Sequence, residues 1–175
     1  MAMVGLFWIA EGDVYVGAKP TGLAPGVRLT PEAVVALGES QSNVYLWEDV
    51  HALTMTCVPV KSLKRQIGAV TEIALDTVVN LAMPGGPGPM GGGPAMMTVR
   101  VESRDGDNEL SAYVAAAVGY SPTEVELSQA LLSRLTEGAA TMATTLAAMS
   151  EWGRAWEGGS PRGAQREELL RRWVG

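Results

Sequence analysis

The chain has little of the residues that most often carry chemistry. Among 175 residues there is one cysteine, one histidine and one phenylalanine. A lone Cys57 excludes an internal disulfide and suits a reducing compartment. Its neighbours Met55, Val58 and Val60 are apolar, so it reads as a buried, inert thiol. His51 follows Glu48 and Asp49, but a metal site needs three or four ligands. Cys57, farther along the same extended run, would lie about 20 Å away at ~3.3 Å per residue. His51 is therefore read as a strand-edge histidine. Positive charge is also short: the net charge is −6, which argues against a general nucleic-acid binder, since that needs a basic footprint. No uncharged apolar run reaches the ~18 residues that suggest a membrane-spanning helix. The segment Met1 to Ala10 lacks a basic start and runs into Glu11 and Asp13, so it is expected to be a strand rather than a signal peptide. The Gly/Pro tract from Pro84 to Pro94 contains no Gly-Lys-Ser/Thr, so it is no phosphate-binding loop. No catalytic, metal or cofactor signature emerges, and neither an enzyme nor a bound cofactor is expected.

What is present is a series of strand signals followed by helical ones, with 47% hydrophobic residues to build a core. The stretch from Met97 to Gly138 is the best signalled. Val99 and Val101 alternate with Arg100 and Glu102, the period of a half-buried strand. Asp105-Gly106 supplies a hairpin turn, and Leu110, Tyr113 and Val114 mark the returning strand. Ser121 with Glu124 forms a capping box, with Pro122 at the first helical position. Val125, Leu131, Leu132 and Leu135 then define one apolar helix face, and Gly138 is the expected C-cap.

Upstream, Leu6 to Ala10 and Val14 to Val16 read as a hairpin around Glu11-Gly12-Asp13. Val27 to Thr30 opens a third strand. After Pro31-Glu32, the β-branched run Val34 to Leu37 reads as a strand. Gly38 to Asn43 is a polar loop. Val44 to Trp47 begins another strand, Glu48-Asp49 breaks it, and Val50 to Val60 reads as a long strand. The period then changes: Leu63, Ile67, Val70, Thr77, Val78 and Leu81 recur at helical spacing. A helical insertion is expected over 61–83 and a mobile Gly/Pro-rich loop over 84–96. Beyond Gly138, Ala139 to Met149 is helical but lacks a charged face, Gly158 to Pro161 breaks the chain, and Gln165 to Val174 is a short basic amphipathic helix.

Two groups of residues are candidates for contact with something else. Trp152, Trp156, Leu169, Leu170, Arg172 and Trp173 lie in the C-terminal helical region 139–175, and Trp and Arg are enriched at interface hot spots. Unless covered, those tryptophans form an apolar patch. Lys61, Lys64 and Arg65 form a basic cluster ahead of the amphipathic insertion, where an anionic membrane surface would be met. Cations at a helix start oppose the dipole by a few tenths of a kcal/mol each, about 0.3 or more.

Leu29-Thr30-Pro31-Glu32-Ala33-Val34 and Trp47-Glu48-Asp49-Val50, followed by further strands and a closing helix, resemble the bacterial pleckstrin-homology-like (PH-like) domains. The likeness covers about Gly5 to Val60 and Met97 to Glu137. It implies an α+β fold: a PH-like antiparallel β-barrel or bent sheet over 5–137, closed by a helix, here with a helical insertion and a helical C-terminal extension. That family is a scaffold for binding, not for one reaction. No phosphoinositide-binding residues carry over, because the first hairpin loop, Glu11-Gly12-Asp13, is acidic. Arginine outnumbers lysine, and alanine and glycine abound, as in GC-rich bacterial genomes; the chain also resembles actinobacterial proteins. The expected role is a non-enzymatic protein-interaction or assembly module of a bacterial cytoplasm, with a protein partner or self-association. The alternative is a peripheral module on anionic lipid.

Overall fold

Among the described residues, two antiparallel sheets and three helices make up the fold. The computed structural model describes residues 1–61, 95–116 and 119–175. The first sheet is a six-stranded meander in chain order: β1 (Ala2–Val4), β2 (Phe7–Ala10), β3 (Asp13–Val16), β4 (Gly26–Leu29), β5 (Ala33–Leu37) and β6 (Asn43–Leu46). The second contains β7 (Val50–Thr56), β8 (Met96–Ser103) and β9 (Gly106–Tyr113). Then come α1 (Pro122–Leu135), α2 (Ala139–Ala155) and α3 (Gly163–Val174). Among the described residues, no strand pairing joins the two sheets, so they do not close into a barrel. The helix expected over 61–83 and the loop expected over 84–96 lie outside the described residues, apart from Lys61, Ala95 and Met96. Met96 already belongs to β8.

The hairpins follow from local chemistry, with small shifts from the expected boundaries. Ala10 pairs with Asp13, so the first loop is Glu11-Gly12 alone. Both of its residues have positive φ, 55° and 93°, as a two-residue turn matched to strand twist requires. In the late hairpin Ser103 pairs with Gly106, and the loop is Arg104-Asp105. Thr30 closes the β4–β5 turn: its hydroxyl accepts from the Ala33 N–H and donates to the Ala33 carbonyl, both at 3.0 Å. Trp47 sends its indole N–H to the Thr30 carbonyl at 2.7 Å. The Asp49 N–H bonds to the Leu46 carbonyl and the Val50 N–H to that of Trp47. Trp-Glu-Asp-Val is thus the corner where the chain leaves one sheet for the other.

The expected strand Val50 to Val60 is shorter and bulged. A register shift lies between Val50 and Ala52. One extra residue flips the side-chain parity, so Val50, Leu53 and Met55 are buried while His51 is exposed. The strand ends at Thr56, and Cys57 takes a left-handed φ of 58°. That breaks the alternation and leaves the thiol exposed, not buried as its apolar neighbours suggested.

The core lies between the sheets and beneath the helices. Val99, Val101, Leu110 and Ala112 share one buried cluster with Phe7, Ile9, Val14 and Val16. Gln41 bridges the sheets: its amide N–H groups reach the carbonyls of Gly26, Leu37 and Ser111, and its oxygen accepts from the Ser111 N–H at 2.7 Å. Gln129 of α1 clamps the Met55 backbone in the same two-way manner, at 3.2 and 2.7 Å. Behind α1, the β1–β2 turn is made by Gly5, whose φ of 57° suits glycine. A Cβ there would also meet Ser128 and Leu170.

The C-terminal helices pack on this body. Gly138 does not cap α1, which ends at Thr136; it is instead the N-cap of α2, with φ 167°. The face of α2 formed by Met142, Thr145, Leu146, Met149 and Gly153 is buried, over β2 and β3. Gly153 sits against Ile9, where a Cβ would overlap the isoleucine side chain. The α3 helix rests on α1 and β1.

Candidate functional site

The three helices leave one groove of about 390 Å³ between them. Its long wall is one face of α2: Thr144, Thr145, Ala148, Glu151, Trp152 and Ala155 recur at three- and four-residue intervals. The opposite wall is Leu169, Arg172 and Trp173 of α3, and Arg134 enters from the end of α1.

Aromatic packing sets the shape. Trp152 stacks on Trp156 with ring centroids 5.2 Å apart and planes at 23°. It meets Trp173 edge-on at 5.7 Å and 74°. Both arrangements are favoured by ring quadrupoles. The Trp156 indole N–H is held by the Gly159 carbonyl at 2.9 Å, so the Gly-rich break after α2 also orients this cluster.

An ion pair fixes α3. Arg166 bonds through Nε to the Glu124 carboxylate, and its Nη1 donates to the Pro161 carbonyl at 2.8 Å. Glu124 is the third residue of α1, and its carboxylate also accepts from the Ser121 N–H at 3.3 Å to complete the capping box. Its side chain is only 2% exposed and that of Arg166 14%. Burial pushes the Glu124 carboxyl upward, but Arg166 and the Ser121 donors outweigh it and hold the group below the usual carboxylate range. Nearby Tyr120 is buried, which raises its phenol above the ordinary value, and its hydroxyl accepts from the Ala115 N–H at 3.0 Å.

The expected contact residues divide. Trp152, Leu169, Arg172 and Trp173 line the groove. Leu170 is fully buried, and Leu169 and Trp173 are largely so; α3 therefore spends most of its apolar face on its own fold. Trp156 is half-buried behind Trp152. Arg172 is exposed and pairs with Glu168 at 3.5 Å. In the other group, Lys61 is exposed, while Lys64 and Arg65 lie outside the described residues. Among the described residues, no three His, Cys, Asp or Glu side chains gather as a metal site.

The sequence reading missed Arg134 and Glu151. Arg134 stands three residues after Leu131, beside the apolar stripe of α1, and that spacing was the available signal. Its Nε is buried with no hydrogen-bond partner among the described residues, nor does Arg134 join any ion pair there. A second groove of about 240 Å³ lies between α2 and the β3–β4 edge. It is lined by Arg28, paired with Asp13 at 2.6 Å, and by Arg154.

Comparison with protein-family models, with curated proteins and with solved structures gives no match. Among the described residues, no helix is long and apolar enough to cross a membrane.

Proposed function

We propose that this chain is a non-enzymatic protein-interaction module that docks a partner segment in the groove between α1, α2 and α3. The observation that carries the reading is Arg134: an arginine that joins no ion pair among the described residues, at the end of a tryptophan-walled groove. An incoming carboxylate would pair with the Arg134 guanidinium through charge-assisted bonds. Arg134 and Arg172 line the groove with Glu151, and Arg172 is paired with Glu168, so Arg134 is the lining cation without an ion-pair partner among the described residues. That open cation selects a partner segment that is apolar with an acidic residue. Trp152 and Trp173 supply the aromatic wall that interface anchors favour.

The PH-like scaffold remains our reading of the architecture. Its supports are the strand-rich N-terminal part, the Trp47 to Val50 corner and the helix seated on the second sheet. A bacterial cytoplasm is the setting we infer, which the lone, exposed thiol of Cys57 suits.

The test is affinity capture from the native cytoplasm with wild type and Arg134→Glu side by side, quantified by mass spectrometry. A stoichiometric partner should be lost at least about tenfold with the variant, equal to ~1.4 kcal/mol. Capture that is indifferent to Arg134→Glu overturns the groove. Binding to vesicles of anionic lipid that falls with salt would instead favour the membrane-surface alternative.

A further inference from the structure

The six-stranded sheet ends in β6, and this edge is unusual. Protein edges are ordinarily blunted by lysine, proline or a bulge. The strand Asn43-Val44-Tyr45-Leu46 has no charge and no proline, and it pairs with β5 without a register shift. Val44 is 57% and Leu46 44% exposed, two of the four large hydrophobic side chains standing in solvent among the described residues. They share one face of β6, beside the half-buried Val35 that pairs with Val44.

The backbone of the edge is partly spent and partly open. The Trp47 N–H donates to the Glu32 carbonyl. Backbone groups alternate sides along an antiparallel ladder, so those of Val44 and Leu46 point away from β5. The Val44 N–H is taken by its neighbour Asn43 Oδ1 at 2.8 Å, and the Leu46 carbonyl by the Asp49 N–H at 2.9 Å. The Leu46 N–H and the Val44 carbonyl have no partner among the described residues.

We propose that β6 is a self-association edge, on which a second copy of this chain adds its own β6 antiparallel about a two-fold axis at Tyr45. That register places Val44 opposite Leu46 of the other copy. Each open Leu46 N–H then meets an open Val44 carbonyl, twice by symmetry, and two apolar pairs form on the outer face. The contact is short, which sets it in the weak, small-area class.

The surface is separate from the helical groove, and the experiment keeps the two apart. Sedimentation of the full chain across about 1–500 µM, a span suited to a weak contact, should show a reversible dimer. Val44→Lys/Leu46→Lys should weaken it at least about tenfold with an unchanged thermal midpoint, since both side chains are exposed. Arg134→Glu should leave the dimer intact. The register is read by cysteine crosslinking in a Cys57→Ser background. Val44→Cys mixed with Leu46→Cys should crosslink faster than either variant alone. A chain that stays monomeric, a dimer that ignores the paired lysines, or faster linkage of Val44→Cys to itself each overturns the proposal. So does a monomer whose β6 instead captures a foreign strand in a manner lost with the paired lysines.

Discussion

At the scale of single residues, Glu124 has two jobs that sit at different depths in the sequence. Its capping role is legible from Ser121-Pro122-Thr123-Glu124, because a capping box is a local spacing. Its pairing with Arg166 is not, since 42 residues separate them and no local pattern encodes the encounter. With both side chains largely buried, removing one charge strands the other, at about 3–5 kcal/mol. Glu124→Gln should therefore lower unfolding stability by about that much in urea denaturation at pH 7. The pH dependence has a definite sign. The folded carboxyl titrates below its unfolded value, so its stabilisation is complete above the unfolded range near ~4.3. It is lost as pH falls through the folded value. Wild-type stability should fall on acidification below about pH 5, and Glu124→Gln should flatten that part of the profile. A parallel profile for the variant would show that other carboxylates govern the acid limb. Cys57 shows the opposite failure of local reading: its neighbours are apolar, yet one left-handed residue ends the strand and exposes the thiol.

At the scale of elements, strands were legible where alternation was strict and boundaries were not. Val99 and Val101 point inward as the alternation predicts; on the returning strand Leu110 and Ala112 are buried, while Tyr113 and Val114, which also marked it, are half-buried. The turns shifted by one residue because pairing runs until backbone sign forbids it: Glu11 accepts a positive φ, and Asp13 remains in the ladder. Gly138 looked like an end and is a beginning, because Thr136 already turns α1 with its hydroxyl on the Ser133 carbonyl at 2.8 Å. The start of α1 is the best specified terminus. The Ser121 hydroxyl accepts from the Glu124 N–H at 3.1 Å, and it also faces Glu167 of α3 at 3.3 Å. Ser121→Ala should cost about 1 kcal/mol from the cap. Ser121→Asp restores a cap acceptor but places a second acid beside Glu167. If capping is the whole role, Asp should rescue the loss in a thermal melt; if the α3 contact matters, it should rescue only part of it.

At the scale of the whole molecule, the C-terminal helices are part of the core rather than an attachment to it. The sequence separates them, because the Gly158 to Pro161 break and the change of composition after Gly138 resemble a boundary. Burial joins them: Met142, Leu146 and Met149 of α2 and Leu169, Leu170 and Trp173 of α3 lie in one cluster with Phe7, Ile9 and Val101. The candidate groove exists only through this docking, since two of its three walls are α2 and α3. The tryptophans, expected to form an exposed patch unless covered, brace each other, with Trp173 buried and Trp152 and Trp156 half-buried. A chain ending at residue 161 tests the point. It would leave Glu124 without Arg166 and open the Gly5 turn that Leu170 now covers. Burial of a leucine or tryptophan of this kind contributes ~1.5–3 kcal/mol, and removing three of them with a buried ion pair exceeds a large share of the ~5–15 kcal/mol that holds a domain together. The truncated chain should lose its cooperative thermal transition and bind a hydrophobic dye, whereas the full chain melts in one step. A truncated chain that keeps the full-length midpoint would make α3 an appendage, and the groove would then be a surface assembled for binding alone rather than one inherited from the packing of the core.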